Sequence, residues 1–278
     1  MADQSLGPDQ APIFTNGHLR LRRCRHGVML YNLNDIYIGS MLDRYGEFSE
    51  GEIDVFQQLL QPGMTAVEVG ANVGAHTVAI AQLVGSRGRV LAFEPQLGVF
   101  QLLCANLALN AIENVEAHWA ALGSAPGLIA VPRLDSRVRE NFGGLAIGAA
   151  QQGDQVRLAT LDIFELPACH FIKIDVEGME AEVIRGARET IRRHKPAIYA
   201  ENDREDASPA LISLLHELDY RCYWHLPAYV RIPNFRGDPE NEFPNIVSIN
   251  LLCVPRGDSG AIDGFREVLS PGDSWRIP

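Results

Sequence analysis

The sequence has no long apolar run and no closely spaced cysteine pair. No stretch approaches the length of a membrane span, and the N-terminal segment has neither a basic start nor an apolar core, so neither an anchor nor a signal peptide is expected. The five cysteines are scattered without a CxxC pair, which argues against a zinc knuckle or a redox dithiol. These absences predict a cytoplasmic, soluble protein with reduced thiols and no membrane partner.

Positive charge is also scarce. The chain has 24 Lys and Arg against 35 Asp and Glu, and its formal net charge is −11. Such a balance argues against a surface built to neutralise phosphates, so no nucleic-acid partner is expected. The 278 residues, 46% of them hydrophobic, are enough for one large α/β domain with a full core.

Strand and helix patterns alternate from Met64 onward. This alternation predicts right-handed βαβ units and a mainly parallel sheet. The last two predicted strands, YRCYWHL and IVSINLLCV, have no helix between them, so we expect one of them to pair antiparallel at the sheet edge. Short strands, including VMLYNL and DIYIGSML, are predicted ahead of this region. A helix should then begin at Ser49, with Glu52 three residues on in the spacing of a capping box.

The predicted organisation has four parts. Residues 1–12 form a flexible arm, 13–63 pack strands and a helix on the core, 64–255 form the main domain, and 256–278 form a tail. Inside the main domain, the segments 133–154 and 226–246 are long and irregular. Loops of that length in a compact domain are usually functional, so we expect both to act as lids over a substrate.

The segment VEVGANVGAHT, residues 67–77, places a glycine turn between an apolar strand and a helix. A triphosphate loop would need a lysine after the glycines, and a dinucleotide loop would need G-x-G-x-x-G, which is matched poorly from Gly70. S-adenosylmethionine needs no phosphate nest, only a close backbone approach and a carboxylate for its ribose. Glu94 ends the next strand in the right place. Glu68 is an acid in an apolar strand, and the ammonium group of the ligand could be its partner.

Several motifs together resemble the FkbM family of S-adenosylmethionine-dependent methyltransferases. They are VEVGANVGAHT, FEPQ, CANLALN, FIKIDVEGMEAEVIRGA and PAIYAEN, and the likeness runs from about residue 50 to 254. The resemblance implies the class I methyltransferase fold, a Rossmann-like, seven-stranded, mainly parallel sheet with helices on both faces. It also implies O-methylation of sugar or natural-product hydroxyls. At one position the chain has Glu68 where many members carry aspartate.

The resemblance assigns roles by position in that fold. Gly70, Asn72 and Gly74 would contact the methionine part of the cofactor, Glu94 the ribose, and the residues around Ala120 the adenine. The cofactor residues expected from the motifs and the resemblance together are Glu68, Gly70, Asn72, Gly74, Glu94, Pro95, Ala120 and Asp175.

Acidic and amide side chains follow two later strands, in KIDVEG and YAEN. Some small-molecule O-methyltransferases of this fold hold a divalent ion with acids after the fourth and fifth strands, and Asp175, Glu201 and Asn202 are similarly placed. Mg²⁺ there would lower the pKa of a hydroxyl and orient it. Asp175 and Glu201 are therefore the acidic catalytic candidates. Asp175 could equally cap the following helix or meet the methionine end of the cofactor, so metal binding stays open.

His225 ends the strand YRCYWHL and is the histidine candidate for a general base. A lone histidine at a strand end can also be purely structural, and that alternative stays open.

Four alternatives to a small-molecule O-methyltransferase stay open. A nucleic-acid enzyme of the same fold would typically carry [DNS]-P-P-[YFW] after the fourth strand, where this chain has DVEG. The others are N-methylation, a catalytically silent cofactor-binding module and a nicotinamide-dependent oxidoreductase. The expected partner is a hydroxylated small molecule, and homo-oligomer formation is left open.

Overall fold

The computed structural model describes residues 11–144, 152–258 and 262–276. The predicted flexible arm therefore lies almost entirely outside the described residues, and so does the 145–151 stretch of the first predicted lid. Within the described ranges, no helix combines the length and apolar character needed to cross a bilayer.

The N-terminal region is a small antiparallel sheet followed by two helices. Strands β1 (Phe14–Asn16), β2 (Leu19–Cys24) and β3 (Gly27–Asn32) pair in that order, and helices α1 (Ile38–Arg44) and α2 (Glu50–Leu59) come next. The predicted strand DIYIGSML is wrong, because most of it is α1. The Asp35 carboxylate accepts the backbone N–H groups of Tyr37 at 3.2 Å and Gly39 at 3.0 Å, and so begins a helix there.

Strands and helices then alternate as predicted, except that four strands follow one another among the described residues of 115–159 and three more among those of 220–268. In chain order they are β4 (Thr65–Val69), α3 (Ala75–Val84), β5 (Arg89–Phe93), α4 (Leu97–Leu109), β6 (Val115–His118), β7 (Ala121–Leu122), β8 (Gly127–Val131), β9 (Asp154–Ala159), a 3₁₀ turn (Leu161–Phe164), β10 (Phe171–Ile174), α5 (Glu180–Arg185), α6 (Arg188–His194), β11 (Ala197–Glu201), α7 (Ser208–Glu217), β12 (Tyr220–His225), β13 (Asn250–Pro255) and β14 (Arg266–Val268).

The main sheet has eight strands in the order β14-β12-β13-β11-β10-β4-β5-β6. The five strands from β11 to β6 are parallel, as the strand–helix alternation predicts. One face packs on α5, α6 and α7, and the other on α2 and α3, so helices cover both faces. Strands β7, β9 and β8 form a separate small sheet. The protein is thus an α/β domain built on a mixed sheet.

The strand count and the place of the antiparallel strand differ from the prediction. The prediction had seven strands with an antiparallel edge, whereas β13 lies inside the sheet, antiparallel to β11 on one side and to β12 on the other. Five of its six residues are buried, which suits an interior strand because both of its faces are covered. The extra edge strand β14 lies in the segment predicted as a tail and pairs with β12.

The glycine turn after β4 is shaped first by the protein itself. Gly70 has φ +85°, and a Cβ on it would stand 1.8 Å from the backbone oxygen of Asp175. Gly74 has φ +86°, and its Cβ would stand 2.7 Å from a methyl group of Leu103. The close approach predicted from these glycines is therefore made at least in part by β10 and α4. It brings the ends of β4 and β10 together at one place.

Gly70→Ala tests this contact. We expect it to lower the free energy of unfolding by about 2 to 6 kcal/mol, because strain at a left-handed φ adds to overpacking against β10. Gly63→Ala is the matched control, since Gly63 has φ +93° but open space where the Cβ would be. The control should lower the free energy of unfolding only by the backbone strain, about 1 to 3 kcal/mol. Equal losses in urea denaturation would show that the contact with Asp175 does not matter.

Candidate functional site

A polar cavity opens at the carboxyl ends of β4, β5, β10 and β11. Its lining includes Gly70 and Asn72 from the turn after β4, Glu94 after β5, Asp175 after β10, and Glu201 at the end of β11. Carboxyl ends of parallel strands meet at one edge of the sheet, which is where open α/β sheets bind ligands. Sequence reasoning placed these five residues in one site, and the structure brings them together.

Glu94 is held with both carboxylate oxygens in fixed positions. Its Oε2 accepts the backbone N–H of Asn72 at 2.9 Å, and its Oε1 accepts the N–H of Gln96 at 2.8 Å. The side chain is 3% exposed, and burial raises its pKa to about 7 despite these two hydrogen bonds. Each oxygen keeps a further lone pair, so the carboxylate can accept two more hydrogen bonds from a ligand.

Beneath the cavity, a buried lysine joins two of the predicted acids. Lys173 on β10 lies directly beside Glu68 on β4, with Nζ 4.0 Å from Glu68 Oε1 and 3.0 Å from Asp175 Oδ2. Thr77 donates its hydroxyl to Glu68 Oε2 at 2.6 Å. Burial alone would lower the pKa of Lys173, but Asp175, Glu68 and Glu52 outweigh it and raise that pKa. Sequence reasoning offered the ammonium group of the ligand as the partner of Glu68, whereas the structure pairs Glu68 with Lys173 and Thr77 of the chain itself.

The acidic group at the end of β10 and β11 is Asp175, Glu177 and Glu201. One ligand atom from each lies within 4.8 Å of the others, a spacing that could hold a metal ion. Asn202 was the third predicted metal ligand, but its amide donates to Ser208 Oγ at 2.8 Å and is buried away from this group. Glu177, which has a φ of +58°, lines the cavity, and Asn202 does not.

Only part of this acidic group is paired with basic side chains. Burial and the nearby Asp175 raise the pKa of Glu177 to about 7, although Arg204 lies 2.8 Å from its carboxylate. Burial and the same acidic neighbours raise the pKa of Glu201 well above its usual range. No basic side chain in the described part of the chain forms an ion pair with Glu201, whereas Asp175 and Glu177 each have one.

His225 lies outside this cavity. Its Nδ1 is 2.8 Å from the Tyr199 hydroxyl, and it borders a separate cleft with Asp54 and Arg231. Burial lowers its pKa to about 4. The strand β13 separates β12 from β11, so His225 stands two strands away from Glu201. The antiparallel strand was predicted at the sheet edge, and its interior position places His225 outside this cavity. The structure therefore does not support His225 as the general base.

The other predicted cofactor residues divide into two groups. Pro95 lines the cavity and accepts the indole N–H of Trp119 at 2.8 Å through its carbonyl oxygen. Glu68, Gly74 and Ala120 do not line it, and both Glu68 and Ala120 are buried.

An aromatic wall faces the acids and was not predicted. Tyr37, Phe48 and Tyr229 line the cavity, with ring centroids 5.9 Å apart for Tyr37 and Tyr229 and 5.8 Å for Phe48 and Tyr229. Glu52 from α2 also lines it. The three rings come from distant segments, and only the position of Tyr229 in a predicted lid signalled a role.

Comparison with known proteins identifies the class, a methyltransferase. Residues 68–222 match the methyltransferase FkbM domain family, and this match spans more than half of the 278 residues. The chain therefore belongs to the FkbM methyltransferase family, which confirms the resemblance seen in the sequence. No curated protein matches the chain.

Several solved structures are similar at low identity. The methyltransferase FkbM from Methylobacillus flagellatus KT is 20% identical, with a TM-score of 0.45; the match covers 72% of this chain and 50% of that one, so the chain spans about half its length. Precorrin-6y C5,15-methyltransferase from Geobacter metallireducens GS-15 is 16% identical over 73% of this chain and 86% of that one, with a TM-score of 0.47. The O-methyltransferase TomG from Streptomyces achromogenes, solved with S-adenosylmethionine, is 12% identical over 74% and 80%, with a TM-score of 0.44. At this level the likenesses carry nothing about the substrate.

Lys173→Met tests the buried ion cluster. We expect a loss of about 3 to 5 kcal/mol in the free energy of unfolding at pH 7, because two buried carboxylates lose their cation. Lys195→Met is the matched control, since Lys195 is the only other lysine and is exposed; it should cost about 0.5 kcal/mol or less.

The loss should shrink as the pH falls. Burial already raises the pKa of Glu68 to about 7, and the loss of Lys173 should raise it further. Protonation of Glu68 at lower pH then removes the cost of its buried charge, so the folded variant becomes more stable relative to its unfolded state as the pH falls. Urea denaturation of both variants at pH 5 and pH 7 measures this. Equal losses for the two variants would contradict the role given to Lys173.

Proposed function

We propose that this chain is an S-adenosylmethionine-dependent methyltransferase that methylates a hydroxyl group of a small molecule. The observation that carries the proposal is the pairing of two differently held acids in one cavity. Glu94 is fixed by the backbone and buried, whereas Asp175 is fixed by Lys173 and stays partly exposed. The first suits a diol such as a ribose, and the second suits a proton acceptor at the reacting group.

The residues present fit the cofactor. Glu94 has free lone pairs for two ribose hydroxyls, and Gln96 Oε1 is a buried acceptor without a partner among the described residues. The cavity holds only about 100 Å³, less than ligand sites usually offer. A cofactor-sized ligand therefore requires it to widen, and the hydrogen bond from Gln96 Nε2 to the Phe142 carbonyl, 2.7 Å, is one contact that closes it.

The chemistry assigns separate work to the cofactor and to the chain. S-adenosylmethionine supplies an electrophilic methyl group on a sulfonium. Asp175 would accept the proton of the attacking hydroxyl, which would make the oxygen a better nucleophile toward that methyl group. Lys173 holds the Asp175 carboxylate in place from below. Holding Asp175 close to the hydroxyl oxygen that is methylated contributes to catalysis by positioning the reacting groups.

A small acceptor fits the charge of the site better than a nucleic acid does. Five acids line the cavity, and the formal net charge of the chain is −11. A phosphate backbone would be repelled by both. The acids that line the cavity are Glu52, Glu94, Asp175, Glu177 and Glu201.

Glu94→Gln tests the cofactor contact. We expect it to weaken S-adenosylmethionine binding about 10- to 100-fold in calorimetry, because hydrogen bonds to a charged acceptor are lost. Glu116→Gln, on the exposed end of β6, is the matched control and should leave the affinity unchanged. Unchanged affinity in Glu94→Gln would remove the ribose assignment.

The same contact predicts a pH dependence. The pKa of Glu94 is raised to about 7, and the ionised form is the better acceptor, so affinity should fall about tenfold between pH 8 and pH 6. In Glu94→Gln this dependence should disappear. An affinity that rises toward acid in the wild type would contradict this assignment.

Asp175→Asn tests the proton acceptor with labelled S-adenosylmethionine and a panel of sugars and polyketide hydroxyls. We expect kcat to fall about 10²- to 10⁴-fold with a much smaller change in cofactor affinity. Asp203→Asn, a more exposed acid nearby, is the matched control and should keep the wild-type rate. Cofactor binding without product from any acceptor would favour a silent module.

The magnesium prediction is tested in the same assay. If Asp175, Glu177 and Glu201 hold Mg²⁺, EDTA should abolish transfer and Mg²⁺ should restore it. A rate that EDTA does not change would remove the metal from the proposal and leave Asp175 as the proton acceptor.

A further inference from the structure

One end of the cavity lies far from the cofactor residue Glu94. The strands run in the order β11-β10-β4-β5, so Glu201 on β11 stands three strand spacings, or about 14 Å, from Glu94 after β5. We call the part of the lining formed by Glu201, Asn250, Phe48 and Tyr229 the distal wall. A ligand group bound there is distinct from the ribose of the cofactor.

Glu201 in the distal wall has no partner. Lys173 bonds to Asp175 at 3.0 Å and Arg204 to Glu177 at 2.8 Å, but the side chain of Glu201 makes no hydrogen bond and no ion pair with the described residues. Its Oε2 atom is shielded from solvent. A carboxylate held this way is costly unless a ligand supplies a hydrogen-bond donor or a positive charge.

A second unpaired polar group lies beside it. Asn250 on β13 is the register partner of Glu201 and is 4% exposed. Its side chain lies near the Tyr199 hydroxyl, and its Nδ2 makes no hydrogen bond of normal geometry in the described part of the chain. The distal wall thus offers an unused acceptor and an unused donor on neighbouring strands. A ligand with an adjacent donor and acceptor would satisfy both.

The aromatic rings favour an organic cation over a metal ion. Tyr229 lies within the field of Asp175 and Glu201, and Phe48 lies 5.8 Å from it between ring centroids. Aromatic faces attract ammonium groups, and the attraction grows when water is excluded. Mg²⁺ instead requires octahedral oxygen ligands and retains waters, so it gains nothing from such rings.

We propose that the acceptor is an amino alcohol, whose protonated amine binds Glu201 beside the rings of Phe48 and Tyr229 while Asn250 donates to its hydroxyl oxygen. This inference rests on the proposed function, because it names the class of molecule whose hydroxyl is methylated. An amino sugar has the required pair of groups. A plain sugar has the hydroxyl but leaves Glu201 unpaired.

The experiment uses two probes of matched shape. Calorimetry on the full chain with S-adenosylhomocysteine compares trans-2-aminocyclohexanol, which is protonated at neutral pH, with trans-cyclohexane-1,2-diol, which is neutral. We expect the amino alcohol to bind wild type at least tenfold more tightly, the effect of a charged hydrogen bond. In Glu201→Gln the preference should drop to about threefold or less. Glu182→Gln, an exposed acid on α5, is the control and should keep it.

Three results would overturn the inference. They are equal binding of the two probes to wild type, no binding of either in the millimolar range, and a Glu201-dependent Mg²⁺ site with which the amino alcohol does not compete. Misfolding is checked by melting temperature: Glu201→Gln removes an unpaired buried charge and should melt at the wild-type temperature or above it.

The same titrations separate this inference from the proposed function. S-adenosylhomocysteine is titrated first into wild type without a probe. Absence of binding there rejects the methyltransferase proposal itself. Normal binding followed by no preference for the amino alcohol rejects only the acceptor class, and leaves a neutral hydroxyl compound as the acceptor.

Discussion

The buried ammonium group of Lys173 is the constraint on which the site depends. It lies on the sheet face covered by α2 and α3, among the carboxylates of Glu68, Asp175 and Glu52. Without a cation there, the buried Glu68 and Glu52 would lie close to Asp175 with no positive charge among them, at high cost. With Lys173 present, β4 and β10 carry charged side chains side by side, and the Asp175 carboxylate is held in a fixed position at the cavity floor. A flexible lysine suits this place because its compact charge can reach carboxylates on two strands and a helix.

Most of the fold was predictable because it follows from local patterns. The parallel core follows from strand–helix alternation, and the turn after β4 follows from its glycines. Helix α2 begins after Ser49 as predicted, although the Ser49 hydroxyl donates to the Glu52 side chain rather than capping the backbone. The place of β13 was missed even though NLLCVP is a continuous apolar run, the pattern of a strand covered on both faces. The three-residue strand β14 has no such pattern and was beyond prediction.

The site was predictable where a strand end fixed a side chain, and not elsewhere. Glu94, Asp175 and Glu201 meet because the parallel strands that carry them end at one edge. Glu177 lines the cavity although Asn202 was predicted there, and nothing in the letters DVEG signals its left-handed backbone. His225 was misplaced by the one error in strand order. The aromatic wall joins Tyr37, Phe48 and Tyr229 across nearly two hundred positions, a contact that only tertiary structure creates.

The boundaries of the family match have a consequence for how such chains diverge. The matched segment, residues 68–222, contains Glu94, Asp175 and Glu201, but Phe48, Tyr229 and Asn250 lie outside it. On the proposed function, the residues assigned to methyl transfer lie inside the matched segment, whereas three of the four residues of the distal wall lie in its flanks. Relatives that share the matched segment and differ in these flanks would, on this proposal, accept different molecules.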